Sequence, residues 1–104
     1  MVSAWFLRLK GYKILLQNYK TKVGEIDLVT VKGQCLCFVE VKKRSSKAAA
    51  AFSITQRQKD RIIRASELYV KQNPGYQNFD IRFDAILIGA TVIPYHLKNA
   101  WQQV

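Results

Sequence analysis

An α/β domain built on a mixed sheet with helices on both faces is the fold this sequence predicts, and three observations predict it. Two strand-length runs, 25–31 and 35–43, flank a glycine turn and carry apolar residues on both faces at their centres, as inner strands covered on each side do. Helical runs at about 3–9 and 55–72 stand before and after that hairpin, and further strand runs at about 12–17, 80–88 and 92–96 complete the sheet. The length of 104 residues fits one small domain spanning the whole chain, burying roughly 65% of its unfolded surface in a single layered core.

Each element has its own local reason. Ser3 to Leu9 reads as a short helix cut by Gly11, with Trp5 and Phe6 as its core contacts. Tyr12 to Gln17 reads as a strand, followed by a polar loop from Asn18 to Val23 that carries Lys20 and Lys22. After the hairpin, the basic and then alanine-rich stretch from Arg44 to Ala51 is a mobile loop or a short helical turn. Ser53 or Thr55 caps the next helix, because Gln56 and Gln58 each stand three residues on in a capping-box arrangement. That helix runs to about Gln72 with Ile62, Ala65, Ser66 and Tyr69 inward, and Asn73-Pro74-Gly75 ends it. Asp80 to Ile88 is a strand, Val92 to His96 its partner, and Lys98 to Gln103 a final helical or irregular segment.

Seventeen basic residues against seven acidic ones give a formal charge of +10. So basic a chain favours polyanionic partners, above all nucleic acid. No stretch approaches the roughly 20 apolar residues of a membrane span, and the start, Met1-Val2-Ser3-Ala4-Trp5, lacks a secretory pattern. A soluble cytoplasmic protein with no membrane partner is the expectation. Cys35 and Cys37 lie two apart on one strand and point the same way, a spacing awkward for a mutual bridge, so they read as reduced thiols.

The charges inside the hairpin are the chemical signal. Glu25, Asp27, Glu40 and Lys42 interrupt otherwise apolar strands, where a charge costs several kcal/mol unless it is paired or metal-bound. With Gly33 first in a two-residue type II′ turn, Val31 faces Leu36, Asp27 faces Glu40 and Glu25 faces Lys42. Making Lys32 and Gly33 the central pair needs a positive φ at a lysine, which is less favourable, and sets Glu25 opposite Glu40. Either register keeps all four charges on one face. Opposed carboxylates repel, and a divalent cation between them removes the conflict. Mg²⁺ suits the place, since it takes one or two carboxylates and fills its other positions with water and phosphate oxygens; Mn²⁺ is the alternative.

Taken together, Gly24-Glu25-Ile26-Asp27-Leu28, Phe38-Val39-Glu40-Val41-Lys42, Lys59 with Ala65 and Tyr69, Arg82-Phe83-Asp84 and Asn99-Ala100-Trp101 resemble the YraN-type family of uncharacterised proteins. By resemblance that family lies within the PD-(D/E)xK nuclease superfamily, which implies a restriction-endonuclease-like three-layer core and phosphodiester hydrolysis. The resemblance implies Asp27, Glu40 and Lys42 as catalytic residues. Asp27, Glu40 and the Val41 carbonyl would hold the metal, and Lys42 would sit beside the attacking water. Glu25 is then an extra ligand, a residue behind the ligands, or the ion-pair partner of Lys42. Some branches of the superfamily touch substrate with a Gln or Lys near the place of Gln56 and Lys59. The first helix is short relative to the family, and no acidic residue precedes Glu25.

Lys43, Arg44 and Lys47 follow the hairpin and are placed to track a nucleic-acid backbone. Arg82 and Asp84 share the less apolar face of their strand and read as a structural pair, while His96, the lone histidine, has no evident partner. Tyr12, Tyr19, Trp5 and Trp101 are candidates for base stacking or for packing. The reading these features support is a metal-dependent nuclease acting on DNA, including branched or damaged DNA. The alternatives are a nucleic-acid-binding protein that keeps the fold without turnover, and an interaction protein whose charged hairpin mediates a salt-bridged homodimer.

Overall fold

A computed structural model of the chain describes residues 2–43, 54–89 and 94–102. Helix α1 (Val2–Leu9) leads into strands β1 (Lys13–Lys20), β2 (Glu25–Lys32) and β3 (Cys35–Lys43). Helix α2 (Gln56–Gln72) follows, then a 3-10 turn (Pro74–Tyr76) and strands β4 (Asp80–Ile88) and β5 (Tyr95–Trp101). The strands lie in the order β1-β2-β3-β4-β5, all neighbours antiparallel except the parallel pair β3 and β4, with α2 in the connection between them. This is an α/β fold on a mixed sheet.

Two apolar clusters lie on opposite faces of the sheet. Ala4, Leu7 and Tyr12 meet Leu28, Cys37, Val39 and Ile86 on the α1 side. On the other side Ile62, Ala65 and Tyr69 of α2 meet Val29, Leu36, Phe38, Phe83 and Leu87. The alternation within β3 thus feeds two layers at once. Ile62, Ala65, Ser66 and Tyr69 are the buried residues of α2, as its spacing predicts. Thr55 is the N-cap, accepting from Gln58 N–H while the Gln58 side chain accepts from Thr55 N–H.

The preferred hairpin register is the observed one. Lys32 pairs with Cys35, Val31 with Leu36 and Leu28 with Val39. Gly33 has φ 60°, and Gln34 is not among the described residues with positive φ, which is the type II′ signature.

Three expectations need correction. Trp5 is 64% exposed, because an eight-residue helix buries one narrow face and here that face is Ser3, Ala4 and Leu7. Strand β1 runs on through Asn18 and Tyr19 to Lys20, where a polar loop was expected, with Asn18 absorbing a φ of 54°. The segment from Lys98 is not helical, since β5 continues to Trp101. The pairing of Phe83 with Trp101 but Ala85 with Leu97 leaves a bulge around Asn99, whose φ is 54°, and a bulge hides the period-two signal of a strand. The expected strand start at Val92, together with Arg44, Lys47 and Ser53, lies outside the described residues.

Candidate active site

The ends of β2 and β3 nearest the start of α2 carry the acidic residues. Glu25, Asp27 and Glu40 line one open cavity of about 290 Å³ with Gln58, Arg61 and Ile62. Gly24 sets the separation: a Cβ there would lie 2.3 Å from the Arg61 carbonyl oxygen, so only glycine lets the start of β2 approach α2 so closely. The turn before it is closed by one hydroxyl. Thr21 Oγ1 accepts from Val23 N–H at 3.1 Å and Gly24 N–H at 3.0 Å, and donates to the Gly24 carbonyl at 2.8 Å.

Within the cavity Asp27 and Glu40 meet. Asp27 Oδ2 accepts from Val41 N–H at 2.7 Å, which turns the aspartate toward β3. Burial, and then a hydrogen bond and charge repulsion from Asp27, push the Glu40 carboxyl up to about 8 against the opposing pull of Lys42 and the Val41 N–H. Lys42 Nζ stands 4.0 Å from Glu40 Oε2. Lys42 therefore approaches its own strand neighbour, and among the described residues Glu25 is in no ion pair. Two adjacent carboxyls of this kind, one of them burdened by its neighbour, are a donor set that fits a hard divalent cation. Among the described residues no three His, Cys, Asp or Glu side chains cluster closely enough to hold a metal, so an ion at Asp27 and Glu40 would complete its shell with carbonyl or water oxygens.

The basic candidates divide. Lys43 is exposed at the end of β3. Gln56 is exposed, its Nε2 donating to Asp60 Oδ1 at 2.9 Å, and Lys59 is half-buried. Neither lines the carboxylate cavity. Gln58 and Arg61 do; the sequence marks Gln58 only as a capping-box residue and Arg61 not at all, and the helical spacing from Ile62 is the available signal, since residues one and four before it reach the same end of α2.

A second polar cluster lies around β4, and it gives Arg82, Asp84 and His96 their partners. Asp84 is fully buried. Its Oδ1 accepts from Arg82 Nε at 2.8 Å and from Asn99 N–H at 2.9 Å, and its Oδ2 from Arg82 Nη2 at 2.8 Å and His96 Nε2 at 2.7 Å. Burial alone would raise the carboxyl, but hydrogen bonds from His96, Arg82 and Asn99 outweigh it and hold it at about 2. Lys10 Nζ lies 2.6 Å from His96 Nδ1, and Arg82 also donates to the Tyr12 hydroxyl. The cluster ties the bulge of β5 to β4 and to the Lys10–Tyr12 segment after α1, so it fastens the sheet edge. Tyr12 and Trp101 are buried, Tyr19 packs edge-on against Tyr69, and Cys35 and Cys37 are free thiols with Sγ atoms 3.5 Å apart. No described helix is long and apolar enough to cross a membrane.

Comparison with known proteins identifies the family. Residues 1–88 match the model of "Uncharacterised protein family UPF0102". A UPF0102 protein of Rhodopseudomonas palustris (strain HaA2) is 43% identical over 99 residues, covering 95% of this chain and 77% of that protein. One from Nitrobacter winogradskyi is 42% identical over the same share of this chain and 84% of its own length. One from Bradyrhizobium diazoefficiens is 41% identical, with 74% of its length covered. With the match running from the first helix through the hairpin and α2 to β4, the chain belongs to the UPF0102 family.

Proposed function

We propose that the chain is a metal-dependent nuclease that hydrolyses phosphodiester bonds in DNA, with Asp27 and Glu40 holding Mg²⁺ or Mn²⁺ and Lys42 assisting. The observation that carries this reading is the meeting of two carboxyls, Asp27 and Glu40, in an open cavity with an ammonium group 4.0 Å from one of them. The family resemblance of the two hairpin motifs supports it. So does the charge of +10, which draws phosphates toward a site that is locally acidic.

A bound divalent cation would supply an acidified water and neutralise charge gathering on the phosphate. The residues of the chain have separate tasks. Asp27 is held by the Val41 N–H, which fixes one of its oxygens and leaves the other for an ion. Glu40 faces it across the hairpin, and with Asp27 would supply the carboxylate oxygens that hold the cation. Lys42, 4.0 Å from Glu40, would orient the attacking water and stabilise charge gathering on the phosphate oxygens. The Val41 carbonyl would be a further oxygen ligand, as the family resemblance implies.

Purified protein incubated with single-stranded, duplex and branched DNA and with RNA, each with Mg²⁺, Mn²⁺ or chelator, tests the reading. Cleavage that requires metal and disappears in Asp27→Asn, Glu40→Gln and Lys42→Ala is the expected result. Cleavage that survives in Asp27→Asn removes the assignment.

A further inference from the structure

Beside the carboxylate cavity, and sharing Arg61 with it, lies a second groove of about 550 Å³ lined by Lys22, Val23, Arg57, Asp60, Arg61 and Arg64. Its four cations face one acidic residue, and the Asp60 carboxylate already accepts from Gln56. Lys22, Arg57, Arg61 and Arg64 are all exposed, and among the described residues none of them is in an ion pair. Four unpaired like charges around one concave surface repel one another, and a polyanion laid along it relieves that repulsion.

We propose that this groove binds the phosphate backbone of a DNA strand next to the reacting phosphate and leads it into the carboxylate cavity. Three arginines at positions 57, 61 and 64 follow an i, i+4, i+7 spacing and so share a face of α2. At 1.5 Å per residue they cover roughly 10 Å of helix, the axial length over which one strand of a duplex presents about three phosphates at 3.4 Å of rise each. Arginine suits the task because its planar fork meets phosphate oxygens in pairs. Lys22 joins them from a turn that the Thr21 hydroxyl closes and that Gly24 presses onto the Arg61 backbone, so the fourth cation is held in place by the same contact that brings Glu25 and Asp27 to α2. Arg61 borders both cavities, which makes the track continuous with the acidic pair.

The inference extends the nuclease reading to the substrate's path, yet it is read out in binding alone. Anisotropy of a fluorescein-labelled 20-base-pair DNA duplex is followed in chelator from 0.05 to 0.3 M salt with the wild-type chain and the Arg57→Gln/Arg64→Gln variant. The Arg8→Gln/Lys13→Gln variant serves as control: it removes the same charge from exposed positions on α1 and β1. Loss of two phosphate contacts lowers the slope of log K against log salt by about 1.8, which corresponds to roughly thirtyfold weaker binding at 0.15 M when referred to 1 M salt. The control keeps the wild-type slope. An unchanged slope in the arginine variant, or an equal loss in the control, overturns the proposal. The two readings fail separately: cleavage with an unchanged slope removes the groove and leaves the nuclease, while a lowered slope in a chain that never cleaves keeps the groove and removes the nuclease.

Discussion

Asp84→Asn isolates the polar cluster that fastens the sheet edge, because asparagine keeps the shape and replaces one acceptor oxygen by a donor. The carboxylate takes four hydrogen bonds, two on each oxygen. If the amide nitrogen takes the place of Oδ1, it faces Arg82 Nε–H and the Asn99 N–H, neither of which can become an acceptor. If it takes the place of Oδ2, it faces Arg82 Nη2, and His96 can accept only by moving its proton to the nitrogen that Lys10 approaches at 2.6 Å. Either way buried donors confront each other, and breaking one side of a buried pair costs about 3–5 kcal/mol. That is a large part of the roughly 5–15 kcal/mol that stabilises a small domain. In urea, with a slope near 1.5 kcal/mol/M, the unfolding midpoint should fall by about 2–3 M. The pH dependence gives a second signature. The folded carboxyl sits at about 2, below its ordinary 3.8, so its charge contributes about 2 kcal/mol that is fully present above about pH 5 and is lost as pH falls through 2. Wild-type chain should show this acid limb and the variant should not. A midpoint within 0.5 M of wild type, or the same acid limb in both, would refute the argument.

Other outcomes follow from single contacts. Gly24→Ala puts a Cβ 2.3 Å from the Arg61 carbonyl oxygen, an overpacking that should cost about 1–3 kcal/mol in urea unfolding and weaken DNA binding, since Lys22 and the start of β2 move with the turn. Thr55→Ala removes the cap of α2 and should cost about 1 kcal/mol, seen as a thermal midpoint about 4–8 °C lower. Cys37, whose thiol burial pushes up to about 12, should resist iodoacetamide at pH 8 in the folded chain, as the thiolate is the reactive form; peptide mass mapping after a timed quench reads this, and labelling at the rate of the unfolded chain would contradict it.

What the sequence made legible was whatever depends on local chemistry. Gly33 selects a turn type, the turn type fixes a register, and the register brings Asp27 to Glu40, so the acidic pair could be found by counting. The inward face of α2 and the Thr55 and Gln58 cap are equally local. What escaped depends on distant partners. His96 looked solitary because Asp84 and Lys10 reach it only after β5 pairs with β4 and α1 docks. The strand that carries His96 was cut short because Asn99 bulges, and a bulge breaks the alternation by which strands are recognised. Arg57, Arg61 and Arg64 are not among the residues the sequence singles out, since their distinction is the turn at 21–24 and the acidic cavity beside them. Lys42 lies near Glu40 rather than Glu25 because its side chain follows its own strand.

The claim on which the functional account rests is that Asp27 and Glu40 together hold a divalent cation, and Mn²⁺ binding followed by electron paramagnetic resonance tests it without requiring turnover. One site is predicted in the wild-type chain, lost in both Asp27→Asn and Glu40→Gln and kept in Arg57→Gln/Arg64→Gln. Equal Mn²⁺ binding by the wild-type chain and the two carboxylate variants would contradict the account.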